Sequence, residues 1–84
     1  MSSPIRRFVL TEKALMLAER ENKITLIVDR SATKKAIRDE VERLYGVKVD
    51  YVNVMITPRG EKKAIVKLGP ESNAFDLLSR LGLL

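Results

Sequence analysis

With 84 residues, 45% of them hydrophobic and 32% charged, the chain has enough material for one core and too little for two, since a chain this size buries about 60 to 65 % of its unfolded surface. It contains no cysteine and no histidine, which excludes disulfides, thiolate nucleophiles, zinc sites with ordinary ligands and imidazole acid/base chemistry. Its net charge of +5 attracts polyanions, nucleic acid first and anionic membrane second.

The opening "MSSPIRRFVL" has no apolar stretch of signal length, and no run approaches the ~20 apolar residues needed to span a bilayer, so a cytoplasmic protein of one domain, residues 1–84, is expected. Ile5 to Leu10 predicts a short strand, with Pro4 suited to a strand start or an edge. Thr11 then fits as the N-cap of a helix running to about Glu21. Glu12 sits in its first turn, where the helix dipole favours an anion, and Asn22 stops it. Lys23 to Asp29 is too dense in β-branched residues for a helix and predicts a mostly buried strand.

Thr33 caps a second predicted helix through about Tyr45, in which Ala36, Ile37, Val41, Leu44 and Tyr45 form one apolar stripe and Gly46 supplies the left-handed stop. Arg38 with Glu42 and Asp39 with Arg43 sit at i, i+4, so this helix is expected to be mainly structural, with a solvated face and basic residues at its first turn. Val47 to Thr57 predicts a strand whose Val47, Val49 and Tyr51 point one way and Lys48 and Asp50 the other. Thr57-Pro58-Arg59-Gly60 fits a type I turn, and Lys62 to Leu68 returns with Ala64, Val66 and Leu68 on one face and Lys63, Ile65 and Lys67 on the other. Ser72 or Asn73 caps a last short helix ending near Gly82. The order β-α-β-α-β-β-α predicts an α+β fold: a mainly antiparallel four-stranded sheet covered by helices, an α/β sandwich.

The residues that could carry chemistry are mostly cations. Arg59, Lys62, Lys63 and Lys67 on the hairpin, with Arg6, Arg7, Lys13, Lys34, Lys35 and Lys48 and the turn residue Thr57, make a candidate phosphate-binding set. Lysines on exposed strand edges also discourage edge-to-edge aggregation, which explains any one of them singly but not the set. Asn53 is a polar amide among valines; it is either tied to a neighbouring strand or loop, or free to contact a base or sugar. Tyr51 could stack on a base, but one tyrosine is a weak signal, and packing in the core or against a partner is the favoured role. The first helix is apolar over Ala14 to Ala18, a stripe wider than one sheet requires, so Met16 or Leu17 could face a second protein and Glu12 could be a docking contact. Asp39 and Glu40 are adjacent and diverge, no acid lies in an evident apolar pocket, and the glycines form no phosphate-cradling loop, so catalysis, metal and cofactor binding lack support.

The hairpin "VNVMITPRGEKKAIVKL", together with "TEK" before the first helix, resembles the large-subunit ribosomal protein twenty-three family in its short archaeal form, and the similarity runs over nearly the whole chain. Its most specific piece is Lys62 to Leu68: two basic residues, a small residue, two strand formers, a basic residue and leucine; Gly69 departs from the small polar residue usual next. The resemblance implies a non-enzymatic, ribosome-bound protein that contacts large-subunit ribosomal RNA near the polypeptide exit tunnel. It also implies packing against large-subunit ribosomal protein twenty-nine and a docking surface for signal recognition particle and the protein-conducting channel. The glutamate of the family's Ser/Thr-Glu-Lys motif, a factor-docking residue in bacterial relatives, falls on Glu12. The long bacterial hairpin extension into the tunnel is replaced here by Pro58 to Glu61, so tunnel lining is not implied. The alternatives are a basic α/β protein-interaction module outside the ribosome and an acylphosphatase-like enzyme built on Asn53 and Arg59. The second lacks the glycine-rich phosphate loop followed by arginine.

Overall fold

The computed structural model describes residues 3–84. The elements follow the order expected: β1 (Ile5–Phe8), α1 (Glu12–Glu21), β2 (Lys23–Val28), α2 (Lys34–Tyr45), β3 (Val49–Ile56), β4 (Lys62–Leu68) and α3 (Ala74–Arg80). Three short polar side chains start the helices. Thr11 and Thr33 hydroxyls accept from Ala14 N and Ala36 N at 3.2 and 3.0 Å, and Asn73, not Ser72, accepts from Asp76 N at 2.8 Å. Gly46 ends α2 in the left-handed conformation at φ 65°. β1 stops two residues early, at Phe8, where the chain leaves the sheet to reach the Thr11 cap; the Val9 N–H still donates to Thr25 O at 2.9 Å.

The four strands lie in the order β1-β2-β4-β3, and every pairing is antiparallel, one step beyond the mainly antiparallel sheet expected. Ile24, Leu26 and Val28 of β2 pair with Val66, Ala64 and Lys62 of β4, so one face of the central strands is apolar until the hairpin end. Ile37 and Val41 of α2 and Ala74, Leu77 and Leu78 of α3 close over that face, and Ile24, Leu26, Ile37, Val41, Val66, Leu68 and Leu77 are fully buried. Helix α1 packs beside β2 and α3. Its Ala18 joins the core with Leu15 against it, and the small side chains of Ala14 and Ala18 let the helix approach closely.

One local feature resets the far strand. The register steps from Val49↔Leu68 to Tyr51↔Lys67, which leaves Asp50 as an extra residue, a bulge that shifts side-chain alternation by one. Val49, Val52 and Val54 therefore face the core. Tyr51, expected on the same side as Val47 and Val49, is turned outward with Asn53 and Met55. A matching step at Arg6 in β1 sends Arg7 outward opposite Ile27 and Phe8 inward, where its ring meets Tyr45 at 5.6 Å between centroids.

Candidate nucleic-acid interface

The hairpin tip is built as its residues require. Gly60 N donates to Thr57 O and Thr57 N to Glu61 O, both at 2.8 Å, and Gly60 adopts φ 83°, so a type I turn is followed by a left-handed glycine. The Glu61 N–H donates to the Thr57 hydroxyl at 3.2 Å and the Arg30 guanidinium donates to Gly60 O at 2.9 Å, which fixes the turn from both sides. Arg59 is left exposed at the tip. On the sheet face away from α2 and α3, Arg59 joins Arg7, Lys63, Thr57, Pro58, Val9, Ile27 and Glu61 around a shallow concavity of about 340 Å³. Arg7 reaches Glu61 at 3.1 Å, an exposed pair that water screens. Three cations against one carboxylate leave this concavity positive.

A smaller recess of about 120 Å³ adjoins it, walled by Lys13, Ala14 and Leu17 of α1, by Val9, Thr25, Met55, Lys63 and Ile65 of the sheet, and by Thr11. The Thr25 hydroxyl there is buried and has no hydrogen-bond partner among the described residues. Around the free edge of β3 runs a third depression, about 620 Å³, lined by Lys34, Lys35, Arg38 and Asp39 of α2 and by Tyr51, Val52 and Asn53. Arg38 donates to Asp50 O at 3.0 Å and Lys35 pairs with Asp39 at 2.8 Å. Tyr51 is 39% exposed, so it is not a core residue, and Asn53 is exposed with its amide making no hydrogen bond among the described residues.

The structure therefore divides the cations that the sequence grouped together. Arg7, Lys13, Lys63 and Arg59, with Thr57, flank the outer sheet face, and Lys34 and Lys35 with Asn53 flank the β3 edge. Lys62 points to the helix side, where its ammonium donates to Ala32 O at 2.6 Å. Lys67 donates to Glu21 O at 2.6 Å, satisfying a carbonyl at the end of α1. Arg6 pairs with Asp29 at 2.9 Å, and Lys48 lies beside Gly69 and Ser72 at the end of the sheet opposite the hairpin.

The i, i+4 spacing predicts Arg38 on a solvated helix face, paired with Glu42. Neither of the expected α2 pairs forms: the Glu42 carboxylate instead accepts from Val49 N at 2.9 Å, and Arg43 pairs with Glu40. Arg38 follows Lys34 by four residues and Lys35 by three, and that spacing alone would have placed the three on one side. Lys23, outside the predicted set, also lies close to Tyr51. The Glu21 carboxylate at 3.0 Å, and less strongly Tyr51, raise its pKa above the ordinary lysine value, so it stays charged beneath the Tyr51 end of the face.

Of the candidate docking residues, Glu12 is exposed in the first turn of α1, Met16 is exposed, and Leu17 is half-buried in the recess wall. No cluster of metal-ligating side chains occurs among the described residues, and none of their helices is long and apolar enough to cross a membrane.

A family model described as ribosomal protein L23 matches residues 3–76. The chain is 74% identical over 80 residues to the large ribosomal subunit protein uL23 of Pyrobaculum aerophilum, covering 95% of this chain and 99% of that protein. To the large ribosomal subunit protein uL23 of Caldivirga maquilingensis it is 59% identical over 80 residues, covering 95% of this chain and 93% of that one.

Proposed function

The chain belongs to the ribosomal protein L23 family, structural and non-enzymatic proteins of the large ribosomal subunit, and from that premise we propose that it binds large-subunit ribosomal RNA with its outer sheet face near the polypeptide exit tunnel. The observation that carries this reading is the convergence of Arg7, Arg59 and Lys63 on one concavity with Glu61 as the acid among its lining residues. RNA phosphates need cations at reachable positions more than they need a particular sequence, and an exposed arginine fork suits them well. Family membership also sets aside the acylphosphatase-like alternative and favours the ribosome over a free protein-interaction module.

The same chain is proposed to pack beside large-subunit ribosomal protein twenty-nine and to offer the start of α1 to signal recognition particle and the protein-conducting channel. Exposed Glu12 and Met16, one turn apart on α1, and exposed Leu10 just ahead of the helix support this.

Titrating the full chain with large-subunit ribosomal RNA fragments over a range of salt tests the RNA reading. Affinity should fall steeply with salt, and Arg7→Gln, Arg59→Gln and Lys63→Gln should each weaken binding and reduce the salt slope by about 1. An unchanged slope in all three variants would contradict it. For the docking reading, Met16→Glu should reduce binding of signal recognition particle to ribosomes that retain the protein; undiminished binding would count against α1 as the docking site.

A further inference from the structure

Resting on the RNA reading above, we infer that the free edge of β3 holds one unpaired nucleotide, its base on Tyr51, its edge read by Asn53, and its phosphates reached by Lys34 and Arg38.

The bulge at Asp50 is what makes this arrangement. It turns Tyr51 and Asn53 to the outer face, opposite Lys67 and Ile65, two residues apart on one strand. Strand β3 is an edge, so no further strand covers its outer margin, and half of its backbone donors and acceptors face outward. The depression along that margin, about 620 Å³, is of the size that takes a small organic ligand.

The chemistry of the lining is mixed in the way a nucleotide requires. An exposed aromatic ring offers a stacking surface that any base can use. The Asn53 amide, with no hydrogen bond among the described residues, offers two donors and an acceptor to a base edge. Arg38 is held by Asp50 O, so its fork is fixed before anything binds, and Lys34 has no acidic partner among the described residues.

A duplex would use only the cations, because its base faces are buried and its deep groove admits no side chain; an unpaired RNA base presents both face and edge. An extended acidic peptide adding to β3 is the competing occupant. It fits less well, because Arg38 already occupies the Asp50 carbonyl near the start of that edge.

The test compares short single-stranded and duplex oligoribonucleotides of equal length binding to the full chain, with Tyr51→Leu and Tyr51→Phe as variants. Tyr51 is exposed, so both should fold, and thermal melting verifies it. The inference expects Tyr51→Leu to weaken single-strand binding roughly tenfold, Tyr51→Phe to stay close to the parent, and duplex binding to change little in either. Equal single-strand affinity for Tyr51→Leu and the parent overturns it. Irradiation of intact large subunits separates this failure from that of the wider reading. Nucleotide adducts on other peptides of this chain but none on Tyr51 would leave RNA binding standing and remove the nucleotide site. A complete lack of adducts together with no binding to ribosomal RNA fragments would remove both.

Discussion

Asn22 is a single residue on which three elements depend. Its backbone takes φ 57°, the left-handed conformation that ends α1. Its side-chain amide donates to Leu68 O, Gly69 O and Ser72 O at 3.3, 3.2 and 3.0 Å and accepts from Ala74 N at 2.7 Å. The sequence shows the stop, because asparagine tolerates this conformation better than other non-glycine residues. It does not show the rest, because those partners lie 46 to 52 positions away. Asn22→Ala should lose both the conformation and the bonds, at a cost of about 3 kcal/mol. Asn22→Gly should recover only the conformational share. Urea denaturation measures both, and a loss below about 0.5 kcal/mol for the alanine variant would show that α1 and the β4–α3 connection hold without this side chain.

Two carboxylates act through pH at the same scale. The Ser31 N–H and hydroxyl, and then Arg6, hold Asp29 below its ordinary value of 3.8. The Ser3 hydroxyl and Arg43 hold Glu40 below 4.5. A carboxyl with a lowered folded-state pKa stabilises the fold above the ordinary value and loses that contribution as pH falls through the lowered one. The denaturation midpoint should therefore be level at neutral pH and fall below about pH 4. Asp29→Asn and Glu40→Gln should each flatten that fall, and an unaltered acid profile in both would contradict the assignment.

Among the elements, the β3–β4 hairpin was the most legible and also the most misleading. The turn can be read directly from Thr-Pro-Arg-Gly, because proline and glycine have narrow backbone preferences. The alternation of β4 is legible too, since Ala64, Val66 and Leu68 face the core as the pattern requires. The bulge at Asp50 leaves no trace in the pattern: Val47, Val49 and Tyr51 alternate as one face, and only pairing with β4 shows that the last of them has moved to the other side.

Within β4, Lys62 and Lys67 look identical to Lys63 in sequence yet are committed to carbonyls at 2.6 Å. They should behave differently when replaced. Lys62→Gln and Lys67→Gln should lower the melting temperature by several degrees, given about 4 to 8 °C per kcal/mol in a chain this small. Lys63→Gln and Arg59→Gln should leave it unchanged and weaken RNA binding instead. If all four affect RNA affinity alike and none affects melting, the division into structural and RNA-facing cations is wrong.

At the scale of the molecule, the order of elements, the α+β class and the family were all within reach of the sequence, because helix caps, strand alternation and the Lys62–Leu68 pattern are local signals. The arrangement of charge was not. A net charge of +5 says that a polyanion will be attracted, but the sign and reach of each surface depend on which cations fold against carbonyls or carboxylates. The fold leaves Arg7, Lys63 and Arg59 on one side and Lys34 and Arg38 around the β3 edge, and spends other basic side chains on fastening α1 and the Ala32 turn.

The central claim is that this protein is held in the large ribosomal subunit by its RNA. Sedimentation of a cell extract with the native protein followed across the gradient tests it most directly, repeated at raised salt and after nuclease. The account predicts stoichiometric presence in the large-subunit peak, persistence at moderate salt, loss at high salt and release by nuclease. Absence from that peak, or a sedimentation position that nuclease does not change, would contradict it.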